Sequence, residues 1–288
     1  MRLLSIRFAL TALVCIATPA MIVQAETPQE EQTGKDKAAR DGWKLVWADE
    51  FDYTGVPDPA KWDYEAGYVR NNEAQYYTRA RKENAWVEGG VLTISGRKEK
   101  FSIPPGRGSK GKTEADYTAA SLTTRGKASW TYGRIEMRAK LPKGRGVWPA
   151  FWTLGTTGGW PRGGEIDIME YVGKEPHDVH SNLHYSIGGR HTSSGGAVTV
   201  DNPWDNFHVY TLLWNSQRMD FLCDQAKYFT FSLSKADDQE TNPYRKPQYL
   251  LLNLALGGGY GGPIDDSNLP QKFVIDYVRV YQQAEAKK

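Results

Sequence analysis

Three carboxyl side chains stand close together in Gly164-Glu165-Ile166-Asp167-Ile168-Met169-Glu170-Tyr171, a stretch whose other members are mostly large and apolar. Paired carboxylates flanking an acetal can cleave it: one attacks the anomeric carbon while the other protonates the departing oxygen. Strict alternation along a strand would put Glu165 and Asp167 on one face and Glu170 on the other. A single β-bulge at Ile168 or Met169 slips the register by one and returns Glu170 to the face of the other two. Four effective strand steps of about 3.3 Å then separate the glutamate backbones by roughly 13 Å, and side chains leaning over the shorter Asp167 leave about 5–6 Å between carboxyls. That spacing suits a retaining glycosidase rather than an inverting one. Like charges this crowded do not all ionise, so one glutamate is expected to stay ionised as nucleophile while the other keeps its proton as acid and later acts as base. A solvated strand face is the commoner fate of charged strand residues. Against it stands the preceding Gly146-Val147-Trp148-Pro149-Ala150-Phe151-Trp152, which sets indoles close to the acids as a sugar cleft does.

Trp148, Trp152 and Trp160 are the candidate stacking platforms, since an indole face covers the C–H surface of a sugar ring while polar neighbours read its hydroxyls. Trp152, in the middle of a strand, is expected to be the most buried of the three. Trp160, beside Pro161 and near glycines, is expected on a loop. His184 falls on the following strand, in Asn182-Leu183-His184-Tyr185, within reach of the acid cluster or of a substrate hydroxyl. Asp276 interrupts Val274, Val278 and Val280 on one face of the last strand, where an unpaired carboxylate is costly, so something must neutralise it; a salt bridge would serve.

The elements that must position these residues are strands. From Trp43 to Tyr281 no long helical period exists; short runs rich in Val, Ile, Tyr, Phe, Trp and Thr alternate with Gly, Pro, Asn and Asp, which is strand and turn chemistry. Arg134 to Leu141 alternates charged and apolar residues without a fault, as a strand with one wet face requires. Further strands are expected at Val91 to Ser95, Ala119 to Thr124, Phe151 to Leu154, Glu165 to Val172 and Ser181 to Tyr185. Others are expected at Val209 to Asn215, Met219 to Cys223, Tyr249 to Leu256 and Phe273 to Tyr281, with a small helix in Leu233 to Glu240. The expected fold is all-β: a jelly-roll sandwich of two antiparallel sheets with a concave substrate cleft, spanning residues 42–284 as one domain.

Composition narrows the function. Lysine plus arginine number 36 against 34 acids, a net charge of +2, so no basic field exists to hold nucleic acid or anionic lipid. Ten tryptophans, sixteen tyrosines and 29 glycines suit many turns and many flat apolar surfaces. Residues 1–25 read as a signal peptide, with Arg2 and Arg7 before an apolar run and Val23-Gln24-Ala25 as cleavage site; residues 26–41 are polar and charge-mixed and read as a flexible linker. Cys15 falls in the signal segment, leaving Cys223 alone in the mature chain, so no intramolecular disulfide is expected.

The chain resembles glycoside hydrolase family 16, and within it the laminarinase-like endo-β-1,3-glucanases, whose signature has the form Glu-Ile-Asp-Ile-Met-Glu. The likeness runs from Trp47-Ala48-Asp49-Glu50-Phe51 through Asn71-Asn72-Glu73-Ala74-Gln75-Tyr76-Tyr77-Thr78 to Asn253-Leu254-Ala255-Leu256-Gly257-Gly258 and Asp276-Tyr277-Val278-Arg279-Val280-Tyr281. The resemblance implies that Glu165 is the nucleophile, Glu170 the general acid/base, and Asp167 the acid that adjusts their protonation. It also implies that Asn71, Asn72 and Arg125 line the non-reducing-side subsites, and that Glu50, Gly90 and Asp276 hold a structural calcium ion, with no cofactor needed for catalysis. Met169 argues against the shorter Glu-x-Asp-x-Glu form of lichenases and xyloglucan transglycosylases. Agarases and carrageenases share the longer form, but their sulfated or galactose-based chains find no matching basic cleft here. Departures from the pattern are Leu213, where Glu is frequent, the turn Cys223-Asp224-Gln225 in place of Val-Asp-Gly, and the short stretch Gly155 to Gly164. The implied activity is retaining, endo-acting hydrolysis of β-1,3-glucan or mixed-linkage β-1,3-1,4-glucan by a monomer that is secreted or periplasmic. Its partner is β-glucan polysaccharide, with no nucleic acid and, after signal cleavage, no membrane. The alternatives are a non-catalytic glucan-binding protein, a transglycosylase and a galactan hydrolase of the same fold.

Overall fold

Where apolar residues recur at every second position the chain is extended, and two sheets stack on the faces that result. The computed structural model describes residues 42–238 and 241–283; the expected signal peptide and linker lie outside the described residues. In chain order the strands are β1 (Trp43–Asp49), β2 (Asp63–Glu65), β3 (Tyr76–Tyr77), β4 (Ala85–Glu88), β5 (Val91–Ser102) and β6 (Glu114–Ala119). Then come β7 (Ser121–Thr123), β8 (Gly133–Lys140), β9 (Val147–Gly155), β10 (Glu165–Tyr171), β11 (Asp178–Ile187) and β12 (Arg190–Thr199). The last are β13 (His208–Trp214), β14 (Arg218–Cys223), β15 (Ala226–Ser232), β16 (Gln248–Leu256) and β17 (Gln271–Gln283). A seven-stranded sheet runs β12-β11-β10-β9-β16-β7-β2, and the other follows β15-β14-β13-β8-β17-β5-β6-β3, with β1 paired to β17 and β4 to β5. Almost every pairing is antiparallel; the short β3–β6 contact is parallel.

The core lies between the sheets. Phe151, Ile166, Ile168, Met169, Leu183, Leu252 and Leu254 from the seven-stranded sheet meet Ile135, Met137, Leu212, Phe221, Ile275 and Val278 from the other. Each such side chain contributes about 1.5–3 kcal/mol by leaving water. On its opposite face the seven-stranded sheet keeps a small apolar floor of Ala150, Trp152, Tyr249 and Leu251, and this floor underlies the site described below.

Two expectations change. The charged face of β8 is not wet: Glu136 and Arg138 are both buried, because β8 lies in mid-sheet between β13 and β17 and Phe207 covers the Arg138 guanidinium at 4.6 Å. Arg134 Nε donates to Glu136 Oε2 at 2.7 Å. Asp276, for its part, does not share a face with Val278 and Val280. The register of β17 against β8 shifts between Ile275 and Tyr277, so Asp276 is the extra residue of a bulge: Ile275 and Val278 both enter the core while the carboxylate stays partly exposed. Of the small helix expected from Leu233, a 3₁₀ turn at Leu233–Ala236 is present.

Candidate active site

The catalytic-type acids owe their common face to one extra residue. Against β9, Asp167 pairs with Trp152 and Met169 with Phe151; against β11, Asp167 pairs with Asn182 and Glu170 with His180. Three steps of β10 therefore oppose two of its neighbours, the bulge expected at Ile168 or Met169. Both of those residues turn into the core, and Glu165, Asp167 and Glu170 look out on the other side. The bulge leaves a backbone carbonyl in need of a partner, and Ser181 Oγ donates to Ile168 O at 2.9 Å while lying 2.5 Å from Tyr228 Oη.

Each glutamate is tied to an indole. Trp160 Nε1 donates to Glu165 Oε2 at 2.5 Å, and Trp148 Nε1 donates to Glu170 Oε1 at 3.0 Å. Asn182 Nδ2 donates to the other Glu170 oxygen at 3.3 Å. Asp167, 2% exposed, lies between them. His184 Nε2 stands 3.4 Å from Asp167 Oδ2, an ion-pair distance that misses hydrogen-bond geometry, so Oδ2 has no hydrogen-bond partner among the described residues. His184 Nδ1 is 2.9 Å from His191 Nε2, and the two rings stack.

Burial, followed by the charge of Asp167, pushes the Glu165 carboxyl up to about 9, with His184 opposing. Asp167 is raised as well, by burial first and then by Glu170. The rise therefore falls on the glutamate that the resemblance makes the nucleophile. Its second cause disappears when Asp167 holds the proton, so one proton kept on Asp167 favours ionised Glu165. For stability the sign is fixed: with Glu165 raised to about 9 from 4.5 as a reference and Asp167 raised beside it, the acid cluster takes up a proton on folding in that window, whichever of the two carboxyls holds it. Its contribution is whole below the lower value and is lost as pH rises through the upper. Glu165→Gln, which needs no charge, is expected to melt about 2–4 °C or more above the parent protein at pH 8, with the gap closing near pH 4. Equal gaps at both pH values in thermal unfolding would contradict this.

The acids open into a cleft of about 680 Å³ lined by Arg70, Asn71, Trp148, Trp152, Trp160 and Tyr260, with Glu165, Glu170, Asn182 and His184. Trp160 is 58% exposed and Trp152 5%, as their positions in loop and strand required. Trp148 meets Tyr260 edge to face at 5.4 Å. Of the two asparagines, Asn71 lines the cleft and Asn72 does not; both adopt left-handed backbone angles. Arg125 belongs to an adjoining depression with Trp47, Trp130 and Tyr249, and its guanidinium lies 5.7 Å from the Tyr249 ring. Sequence reasoning missed Arg70, Glu73 and Tyr260. Arg70 pairs with Glu65 and caps the Trp152 ring at 4.8 Å. Glu73 is buried, accepts from Gln75 Nε2 at 2.8 Å, and is raised by burial against the opposing pull of Arg70. The Asn71-Asn72-Glu73 run was the signal available for this wall.

The loop bearing Trp160 is closed on itself. Gly155 N donates to Gly164 O at 3.2 Å, and a Cβ on Gly155 would sit 2.1 Å from Gly163 O, so the pinch demands glycine.

The residues expected to hold calcium lie where β1 and β5 both meet β17, since Asp49 pairs with Val278 and Ile275 with Leu92, bringing Glu50, Gly90 and Asp276 near one another. An oxygen-only set of this kind has the chemistry of a calcium site. Here arginines meet the carboxylates: Arg279 Nε and Nη2 donate to the two Glu50 oxygens at 2.8 and 2.7 Å, and Arg138 Nη1 donates to Asp276 Oδ2 at 2.8 Å. The neutralisation that Asp276 requires is thus supplied by a salt bridge, and each of the two carboxylates has an arginine partner.

Two facing carboxylates over a sugar-sized, indole-walled cleft on a jelly roll define a glycoside hydrolase. The chain belongs to the glycosyl hydrolases family 16, whose model matches residues 72–279. It is 46% identical over 268 residues to a beta-glucanase of Rhodothermus marinus, covering 87% of this chain and 88% of that protein. The X-ray structure of the laminarinase from Rhodothermus marinus superposes with a TM-score of 0.75 at 45% identity, covering 84% of this chain and 98% of that one. A mutant of a non-specific endo-beta-1,3(4)-glucanase, co-crystallized with 1,3-beta-D-cellotriosyl-glucose and presenting a 1,3-beta-D-cellobiosyl-glucose at its active site, superposes with a TM-score of 0.76 at 41% identity, over 83% of this chain and 95% of that one.

Proposed function

We propose that this protein cleaves β-1,3-glucan, or mixed-linkage β-1,3-1,4-glucan, within the chain and with retention of anomeric configuration. Glu165 attacks the anomeric carbon as Glu170 gives its proton to the glycosidic oxygen, and the leaving sugar departs. Glu170 then takes a proton from the water that attacks the same carbon and releases Glu165. Asp167 keeps a proton beneath the pair so that both roles fit in one small volume. The observation that carries this reading is the bulge, which turns Glu165 and Glu170 to one face over Asp167 in a cleft floored by Trp152. Support for the substrate comes from relatives that bear glucanase names and from the glucan held by a related structure. A purely glucan-binding role would have no use for two glutamates gathered over a buried aspartate.

Digestion of laminarin, curdlan, lichenan, agarose and carrageenan, with products sized and their first-formed anomer read by NMR, tests the proposal. Internal cleavage of the β-1,3-linked substrates with initial β-anomer is expected. Initial α-anomer, or cleavage confined to the galactans, would overturn it.

A further inference from the structure

Away from the cleft, at one end of the ten-stranded sheet, a second cluster of reactive side chains lies under the hairpin that joins β14 to β15. His208 opens β13, Cys223 closes β14, and Asp224 follows in the turn with a left-handed backbone at φ 52°. Asp224 is held firmly: its N–H donates to Val209 O at 2.7 Å, and Val209 N donates back to Asp224 Oδ1 at 2.8 Å. Its second oxygen lies 2.9 Å from His208 Nδ1. A carboxylate there accepts, so Nδ1 carries the imidazole proton and Nε2 is left with a lone pair. That Nε2 is buried without a hydrogen-bond partner among the described residues, in a histidine that is 1% exposed. The Cys223 sulfur completes the group: one donor atom from each of the three residues lies within 4.8 Å of the others.

We propose that His208, Cys223 and Asp224 form a binding site for a thiophilic divalent cation, zinc foremost. Imidazole, thiolate and carboxylate are the donors zinc takes, and tetrahedral zinc holds such atoms roughly 3.3–3.8 Å apart. His208 Nδ1, already 2.9 Å from the Asp224 carboxylate, is the nitrogen that meets this spacing: the ion takes the place of that hydrogen bond, the imidazole proton passes to Nε2, and the sulfur closes in from within 4.8 Å. Binding releases the thiol proton, and the thiolate and carboxylate then balance the two charges of the ion, so no net charge is buried. A cation with no affinity for sulfur, such as magnesium, is not accommodated. Access runs through the turn, where Asp224 is the member nearest solvent. None of the three residues takes part in the hydrolysis described above.

The test uses the whole protein, stripped of metal by chelator and dialysis. Cobalt(II) is expected to give a thiolate-to-metal band in the near ultraviolet at one equivalent. Zinc at a hundredfold excess over its Kd is expected to raise the Tm by about 5–10 °C. Both effects should vanish in Cys223→Val, an apolar change of similar size that keeps the core filled, and fall in His208→Asn. Glu165, Asp167 and His184 also bring donor atoms together, but they hold no sulfur. No cobalt band in the parent protein, or a zinc shift unchanged in Cys223→Val, would overturn the proposal and, in the second case, place the ion in the cleft.

Discussion

Glu165→Ala and Glu170→Ala are each expected to lose about 10²–10⁴-fold in kcat or more, with a folded domain and a KM that changes little. Both carboxyls act on the transition state, so their removal lowers kcat and kcat/KM together. The two variants should differ in what restores them. Without Glu165, a small anion such as azide fits the space left beside Trp160 and attacks the anomeric carbon directly, giving product of inverted configuration. Without Glu170 the loss is confined to substrates whose leaving group needs a proton, and an activated aryl glycoside should recover its first step. Turnover within tenfold of the parent protein in either variant, or rescue by azide in Glu170→Ala with inverted product, would remove the assigned roles.

Arg70→Ala is expected to cost stability and binding together. Its guanidinium neutralises Glu65, opposes the rise at Glu73 and covers Trp152, so alanine leaves two acids near the cleft without their cation. Removing one partner of a largely buried pair costs about 3 kcal/mol, or a Tm lower by about 6–12 °C in a domain of this size. KM should rise as the Trp152 platform loses its cap, with a smaller change in kcat. Arg70→Lys keeps the charge but not the flat stacking surface, and is expected to recover most of the Tm and little of the KM. An alanine variant that melts within about 2 °C of the parent would show that Glu65 and Glu73 do not depend on this cation.

Much of the sandwich was legible because alternation of apolar residues is a local signal. β9, β10, β11, β16 and β17 fall where the pattern puts them, four of them somewhat longer than expected and β10 one residue shorter. The bulge was legible for a different reason: three acids in an apolar strand make sense only if the parity breaks between Asp167 and Glu170. The second bulge, at Asp276, carried no such mark, since valines on either side of it look like one face until pairing with β8 is known. Short strands such as β2 and β3, and β12 with its Gly195-Gly196, have too few apolar residues to show a period. The wall formed by Arg70, Glu73 and Tyr260 was hidden because its parts lie far apart in the chain and meet through loops. Arg125 was placed by resemblance in the substrate subsites, and the fold sets it one depression further along, against Tyr249.

The pinch at Gly155 and Gly164 gives the Trp160 loop the character of a cartridge. Its two ends are clasped by a single main-chain hydrogen bond at the rim of the sheet, while the bulge, the acids and the core beneath take their positions from β9, β10 and β11. Segments of other length or composition can be grafted between those ends only if an N–H donor still reaches Glu165 Oε2 as Trp160 does. What such a graft would alter is which polymer is admitted, while the chemistry keeps its dependence on the one indole that reaches back to the nucleophile.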